Sequence, residues 1–207
     1  MKKVIIASMI LLILSSQVFS QNSSQDSTFK KYFVGSTLFM LIGNIVPDDP
    51  NPPGFVQLNF GYRLTPKDVF SVELKTWKYA WPLGIPYGDS RTNEIEKYPG
   101  YVRSFGLGLV YQRFLWKGAY ASVDAMNTQQ RYVDDQDHHI QNGYQLFMTY
   151  RLGYHFRFFK NRLFIEPSIA VTHWPINTNV PESFASLEKK WPNYFLMEPG
   201  LHFGVNL

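Results

Sequence analysis

Along residues 143–159, GYQLFMTYRLGYHFRFF, apolar and polar positions alternate with a period of two. Tyr144, Leu146, Met148, Tyr150, Leu152, Tyr154, Phe156 and Phe158 fall on one side. Gln145, Phe147, Thr149, Arg151, Gly153, His155 and Arg157 fall on the other. Successive side chains of a β-strand point to opposite faces, so this segment is a strand with an aromatic–aliphatic face and a polar, cationic one. The same rhythm, interrupted by turn residues, predicts eight strands near 32–46, 55–65, 69–82, 101–115, 119–133, 143–159, 163–176 and 194–207. The first of these, YFVGSTLFMLIGNIV, is apolar on both sides, and its register cannot be read from the pattern.

The connections alternate in length. TPKD (65–68), WKG (116–118) and KNR (160–162) are tight, whereas 47–54, 84–100, 134–142 and 177–193 are long. A meander whose loops sort by end in this way matches an antiparallel up-and-down barrel that crosses a bilayer, with short periplasmic turns and long extracellular loops. The strands reach the 9–11 residues or so that a tilted spanning strand needs.

The two faces decide which side meets lipid. Val56, Leu58, Phe60, Tyr62 and Leu64 share a face, as do Phe70, Val72 and Leu74, and Phe105, Leu107, Leu109 and Tyr111. Leu163, Ile165, Ile169 and Val171, and Leu201, Phe203, Val205 and Leu207, continue the band. The opposite faces mix carboxylates, cations and glycines with few lysines, unlike a water-facing surface. Eight strands enclose just enough room for side chains to fill. An interior charge network is therefore expected from Arg63, Glu73, Lys75, Asp124, Arg151, His155, Arg157, Glu166, Glu198 and His202. Glu166-Pro167 and Glu198-Pro199 predict a bulge or bend beside two of its glutamates.

Composition and ends sharpen this picture. Charged residues make up 17% of the chain and aromatics 17%, against the roughly 25% charged residues of an ordinary soluble domain. Residues 1–20, with Lys2-Lys3 followed by an apolar run, read as a signal peptide cleaved after Ser20. Residues 21–31 then form a periplasmic segment and 32–207 the barrel domain. Without the signal the chain is nearly neutral, so no nucleic-acid partner is expected. The chain has no cysteine, which excludes disulfides and thiolate metal sites.

The signal, the short-turn/long-loop rhythm and the alternating GLHFGVNL at the C-terminus resemble the small eight-stranded outer-membrane barrel proteins of Gram-negative bacteria. In that group the last strand usually ends on an aromatic, where this chain has Leu207. The resemblance implies an outer-membrane location and contact with membrane lipid and lipopolysaccharide. It also implies insertion by the outer-membrane machinery and a monomeric state. It names lipid A modification as the chemistry to look for, with a His and a Ser two residues apart near the outer rim. His173 stands in such a place, but Val171 and Pro175 are its neighbours at that spacing. No catalytic set is assigned, because nucleophile and base must lie within hydrogen-bond reach.

Two loops carry further chemistry. DDQDHHIQN (134–142) and PDDP (47–50) hold oxygen and imidazole donors without the ordered spacing of a metal motif, and read as solvated polar tips. No metal or cofactor is assigned. NVPESFASLEKKW (179–191) predicts a short helix with Phe184, Leu187 and Trp191 on one face, serving either as a cap on the barrel or as an interfacial anchor. Together with Tyr79, Trp81 and Trp174, these three would form an aromatic mouth. Trp77, Tyr79, Trp81 and Trp174 near the outer rim and Trp116 in a turn also fit interfacial girdles.

The expected function is a non-enzymatic structural or surface-interaction barrel with a filled interior. Three alternatives stand beside it: a barrel that binds or passes a small, mostly apolar molecule, a lipid A-modifying enzyme, and a soluble periplasmic carrier of lipocalin type with its apolar face inward.

Overall fold

Period-two segments separated by tight turns pair with their sequence neighbours, and that is how this chain builds. The computed structural model describes residues 30–38, 54–86 and 93–207. The expected signal peptide, the first long loop and the end of the first predicted strand lie outside the described residues. Within them the chain is an antiparallel all-β protein with one α-helix. Its strands are β1 (Tyr32–Thr37), β2 (Gly54–Arg63), β3 (Asp68–Tyr79), β4 (Tyr101–Trp116), β5 (Ala119–Val133), β6 (His139–Tyr154), β7 (Phe156–Phe158), β8 (Leu163–Thr178) and β9 (Tyr194–Asn206). The helix, α1, spans Glu182–Glu188, and a short 3-10 turn spans Glu94–Glu96.

Every strand pairs with its neighbours, and β9 pairs back onto β1, so the hydrogen bonding runs in a ring. The nine elements act as eight strands. β6 and β7 both pair with β8 in one continuous register, Gly153 opposite Ser168 and Phe156 opposite Ile165. That register puts Tyr154 opposite Pro167, which has no N–H to donate, and the ladder is interrupted there. The second Glu-Pro pair also marks an irregularity. Between Ala170 and Thr172 on β8, β9 carries an extra residue, and Met197 takes a φ of 61°. The architecture is compatible with a β-barrel.

The ring buries its polar face and exposes its apolar one. Gln57, Arg63, Glu73, Asp124, Thr149, His155 and Glu166 are buried, while Val56, Phe60, Phe70, Phe105, Leu107, Leu109 and Leu152 are exposed, Leu109 to 67%. β1, whose side assignment the sequence withheld, follows the same rule: Phe33, Gly35 and Thr37 line the interior. Large interior side chains lie over glycines of neighbouring strands. A Cβ on Gly200 would come within 2.1 Å of the Arg151 guanidinium, and one on Gly61 would fall inside the Phe33 ring.

The turns hold themselves. Thr65 Oγ1 donates to Asp68 Oδ2 (2.7 Å) and accepts from the Asp68 amide (2.8 Å), closing the first hairpin. Lys117 takes a φ of 51° in the two-residue connection from β4 to β5.

Candidate functional site

The interior polar groups form three linked clusters around a cavity of about 120 Å³. On β2 and β3, Glu73 accepts from Gln57 Nε2 (2.9 Å) and Asn59 Nδ2 (2.9 Å), and Lys75 Nζ lies 3.2 Å from its second oxygen. Across the ring, Arg151 donates to Ser168 Oγ (3.0 Å) and to Glu198 Oε1 (3.2 Å). Below them, Glu166 Oε1 meets His155 Nδ1 (2.7 Å) and Gln112 Nε2 (3.1 Å). The alternation of strand residues explains the arrangement: each pair joins inward positions of one strand, of neighbouring strands or of strands facing across the lumen. Charges removed from water in this way need partners, and these have them.

Two of the predicted network residues stand apart. Arg63 sits at one end of the ring, with its guanidinium 4.8 Å over the Phe33 ring and Nη1 donating to the Lys30 carbonyl (3.2 Å). Arg157, opposite the buried Phe164, is exposed at the same end, where β7 leaves the enclosed part of the ring. Asp124 and His202 line the cavity. Three buried polar atoms on its wall have no hydrogen-bond partner among the described residues: Asp124 Oδ1, Thr172 Oγ1 and Trp174 Nε1.

The aromatic mouth is a packed plug. Tyr79, Leu83, Tyr98, Val102, Tyr132, Trp174 and Phe184 form one buried cluster, with Trp77, Phe147, Val180 and Leu187 against it. α1 sends Phe184, 0% exposed, into this cluster, its ring 4.7 Å from Tyr98 and 5.2 Å from Tyr132. Of the two roles open to the helix, its contacts are those of a cap. Trp77, Tyr79 and Trp174 turn inward, whereas the girdle expectation had them facing out. The reason is parity: they continue the inward positions of Glu73, Lys75 and Thr172. Trp81 is half-buried just past the end of β3, and Trp116, the last residue of β4, is 68% exposed.

Polar ties fasten the cap at the rim. Lys190 Nζ and Trp191 Nε1 (3.0 Å) both donate to Glu96, and the Tyr98 hydroxyl donates to Glu188. The Lys190 hydrogen bond holds the Glu96 carboxyl below its ordinary range. Burial pushes the Glu188 carboxyl up and the Tyr98 hydroxyl well above its usual value. The sequence pattern placed α1 but not its dock. Glu96 is the residue it missed, and a buried glutamate in a loop has no local signature.

The acidic loop closes on itself. Asp134 Oδ1 accepts from the amides of Gln136 (2.9 Å) and His138 (2.8 Å), which lowers its pKa, and His138 Nδ1 lies 3.4 Å from Oδ2. No group of three or more metal-type ligands occurs among the described residues. His173 stacks on Tyr150 on the outer face, while Ser168 points inward to Arg151. No family model, curated protein or solved structure matches the chain.

Proposed function

We propose that this chain is an outer-membrane β-barrel protein of structural or surface-interaction type, without enzymatic activity. The observation that carries the proposal is the inverted distribution of polarity. On most strands of the ring the exposed rows are dominated by Leu, Val, Ile, Phe and Tyr, β5 being the most polar, and the enclosed rows carry the charged and polar clusters. A folded protein in water gains by enclosing its apolar rows, whereas a barrel in lipid gains by displaying them. The interior clusters and the Phe184 plug support a filled barrel whose contribution lies in its outer surface and loops.

On this proposal the protein is exported, inserted by the outer-membrane machinery and monomeric, with lipid and lipopolysaccharide as its immediate partners. The test is protease treatment of intact cells followed by fractionation. Cleavage within 134–142 in intact cells, with the chain in the outer-membrane fraction, is expected. A chain recovered from the soluble periplasm, or loops protected on intact cells but cut after lysis, sinks the proposal.

A second function has one observation in its favour. The cavity presents unpartnered Asp124 Oδ1, Thr172 Oγ1 and Trp174 Nε1 beneath the aromatic plug, a combination suited to a small molecule with both polar and apolar parts. Native mass spectrometry of protein extracted in mild detergent checks it. A bound mass lost in Thr172→Val together with Trp174→Phe supports the ligand site, and bare protein throughout removes it.

A further inference from the structure

Strand register brings three cations into one row on the outer face. Lys78 on β3 lies opposite Arg103 on β4, and Arg103 lies opposite Arg131 on β5. Neighbouring strands are about 4.8 Å apart, so the three charges span about 10 Å. Arg103 and Arg131 are exposed. The row is flanked by Gly54 on β2 and Asn142 on β6, so it contains no carboxylate. None of the three forms an ion pair among the described residues. Lys78 Nζ rests 4.3 Å over the Tyr101 ring, and the Tyr101 hydroxyl already engages Asp137 (2.9 Å).

Like charges directly opposite each other on adjacent strands repel, and the chain deals with a cation differently at the far end of the same face. There Arg113, directly opposite Asp68, is paired with it at 2.6 Å. The upper row has no such answer within the described residues. Immediately below it on β4, Phe105, Leu107 and Leu109 are 60%, 51% and 67% exposed. The stretch between Arg103 and Arg113 on β4, residues 104–112, is nine residues long, within the 9–11 or so of a bilayer crossing.

We infer that Lys78, Arg103 and Arg131 form a docking site for the phosphate groups of a phosphorylated lipid, whose acyl chains lie along Phe105, Leu107 and Leu109. The inference rests on the membrane reading proposed above and adds the place and chemistry of one lipid contact. The argument for a lipid over a soluble polyanion is continuity: the cations border exposed apolar rows, as headgroup phosphates border acyl chains. Arginine is suited to the task because its fork matches two phosphate oxygens at once. Basic side chains at a membrane surface each strengthen binding to anionic lipid about fivefold, so removing all three costs about 100-fold.

The experiment uses the full chain in detergent micelles, titrated with bisphosphorylated lipid A and with the same lipid after phosphatase treatment. Binding is read by native mass spectrometry, and the heat-shifted gel band verifies a folded ring in every sample. Lys78→Gln/Arg103→Gln/Arg131→Gln is expected to lose about 100-fold in affinity for the phosphorylated lipid. Arg103→Gln alone is expected to lose about fivefold, which keeps the test available if the triple variant does not fold. Lys160→Gln/Arg162→Gln, at the opposite end, is expected to bind as the unaltered chain does.

Equal binding of the dephosphorylated lipid overturns the inference, as does undiminished binding by the variants. Full displacement by inorganic pyrophosphate, with no requirement for acyl chains, would instead make the row a site for free polyanions and overturn it too. An unaltered chain that shows no heat-shifted band and needs no detergent brings down the membrane reading, and this inference with it. Failure of the cation row alone leaves the shifted band in place.

Discussion

The cap can be tested by removing one side chain. Phe184→Ala empties a site that is 0% exposed and in ring contact with Tyr98 and Tyr132. A buried Phe truncated to Ala costs about 3–5 kcal/mol, from lost transfer energy plus the cavity left behind. Phe184 belongs to a seven-residue helix, Glu182–Glu188, that contributes no other fully buried apolar side chain. The loss should therefore fall on docking of the helix and leave the ring ladder intact. It shifts the docked-to-open ratio by between about a hundredfold and several thousandfold. Lys189 and Lys190 offer trypsin sites at the end of the helix, and cleavage of a transiently open segment follows its population. Trypsin should cut the variant there far faster than the unaltered protein, while the ring persists as a protected core. Ile95→Ala, at a residue 77% exposed, is the control and should change nothing. Equal cleavage of Phe184→Ala and the unaltered chain, or simultaneous loss of cap and ring, would refute the reasoning.

Other predictions follow from the interior, the outer face and the rim. Gly200→Leu drives a side chain into the Arg151 guanidinium, 2.1 Å from the Cβ position, and should cost about 1–3 kcal/mol in urea unfolding in lipid. Gly54→Ala, whose nearest heavy atom is 3.8 Å away, should cost far less. Leu109→Arg should destabilise the protein by about 2–4 kcal/mol when folded into a bilayer, because the charge would enter hydrocarbon; a neutral result would place that face in water. Glu96, whose pKa is lowered on folding, contributes fully above the ordinary carboxylate value of 4.5 and loses that contribution as pH falls through its folded value. Hydrogen exchange of 182–188, corrected for intrinsic rate, should therefore quicken in acid, and Glu96→Gln should weaken docking at neutral pH and flatten that response. Glu188, raised by burial, acts in the opposite sense: its charge opposes docking above the ordinary value.

Much of the fold was legible because a period of two is a strong signal when one face is apolar on every strand. Seven of the eight segments gave their inward face directly, and β1 did not because Phe33 and Val34 are both apolar. Only pairing with Gly61 on β2 and Asn206 on β9 turns Phe33 inward, and no local pattern carries that. The two Glu-Pro pairs announced the interruption at Pro167 and the irregularity before Pro199. The parity that made Glu73 and Lys75 interior applies equally to Trp77 and Tyr79. Reading them as a girdle gave residue type precedence over position, and position prevailed. Arg63 and Arg157 share the correct parity but lie where the ring ends, and depth along a barrel is poorly marked by alternation. The partners of α1 were beyond reach because Glu96 and Glu188 meet theirs across about ninety residues of sequence. The row Lys78–Arg103–Arg131 was hidden for a related reason: each cation is unremarkable in its own strand, and only register aligns them.

The central claim is that the exposed apolar face of this ring is made for lipid. The most direct measurement is gel mobility of the protein refolded into lipid vesicles, unheated against boiled in SDS, alongside its partition between vesicles and buffer. The account predicts a vesicle-bound protein whose unheated form runs as a separate band that boiling abolishes. A protein that remains in buffer with no shifted band would contradict it.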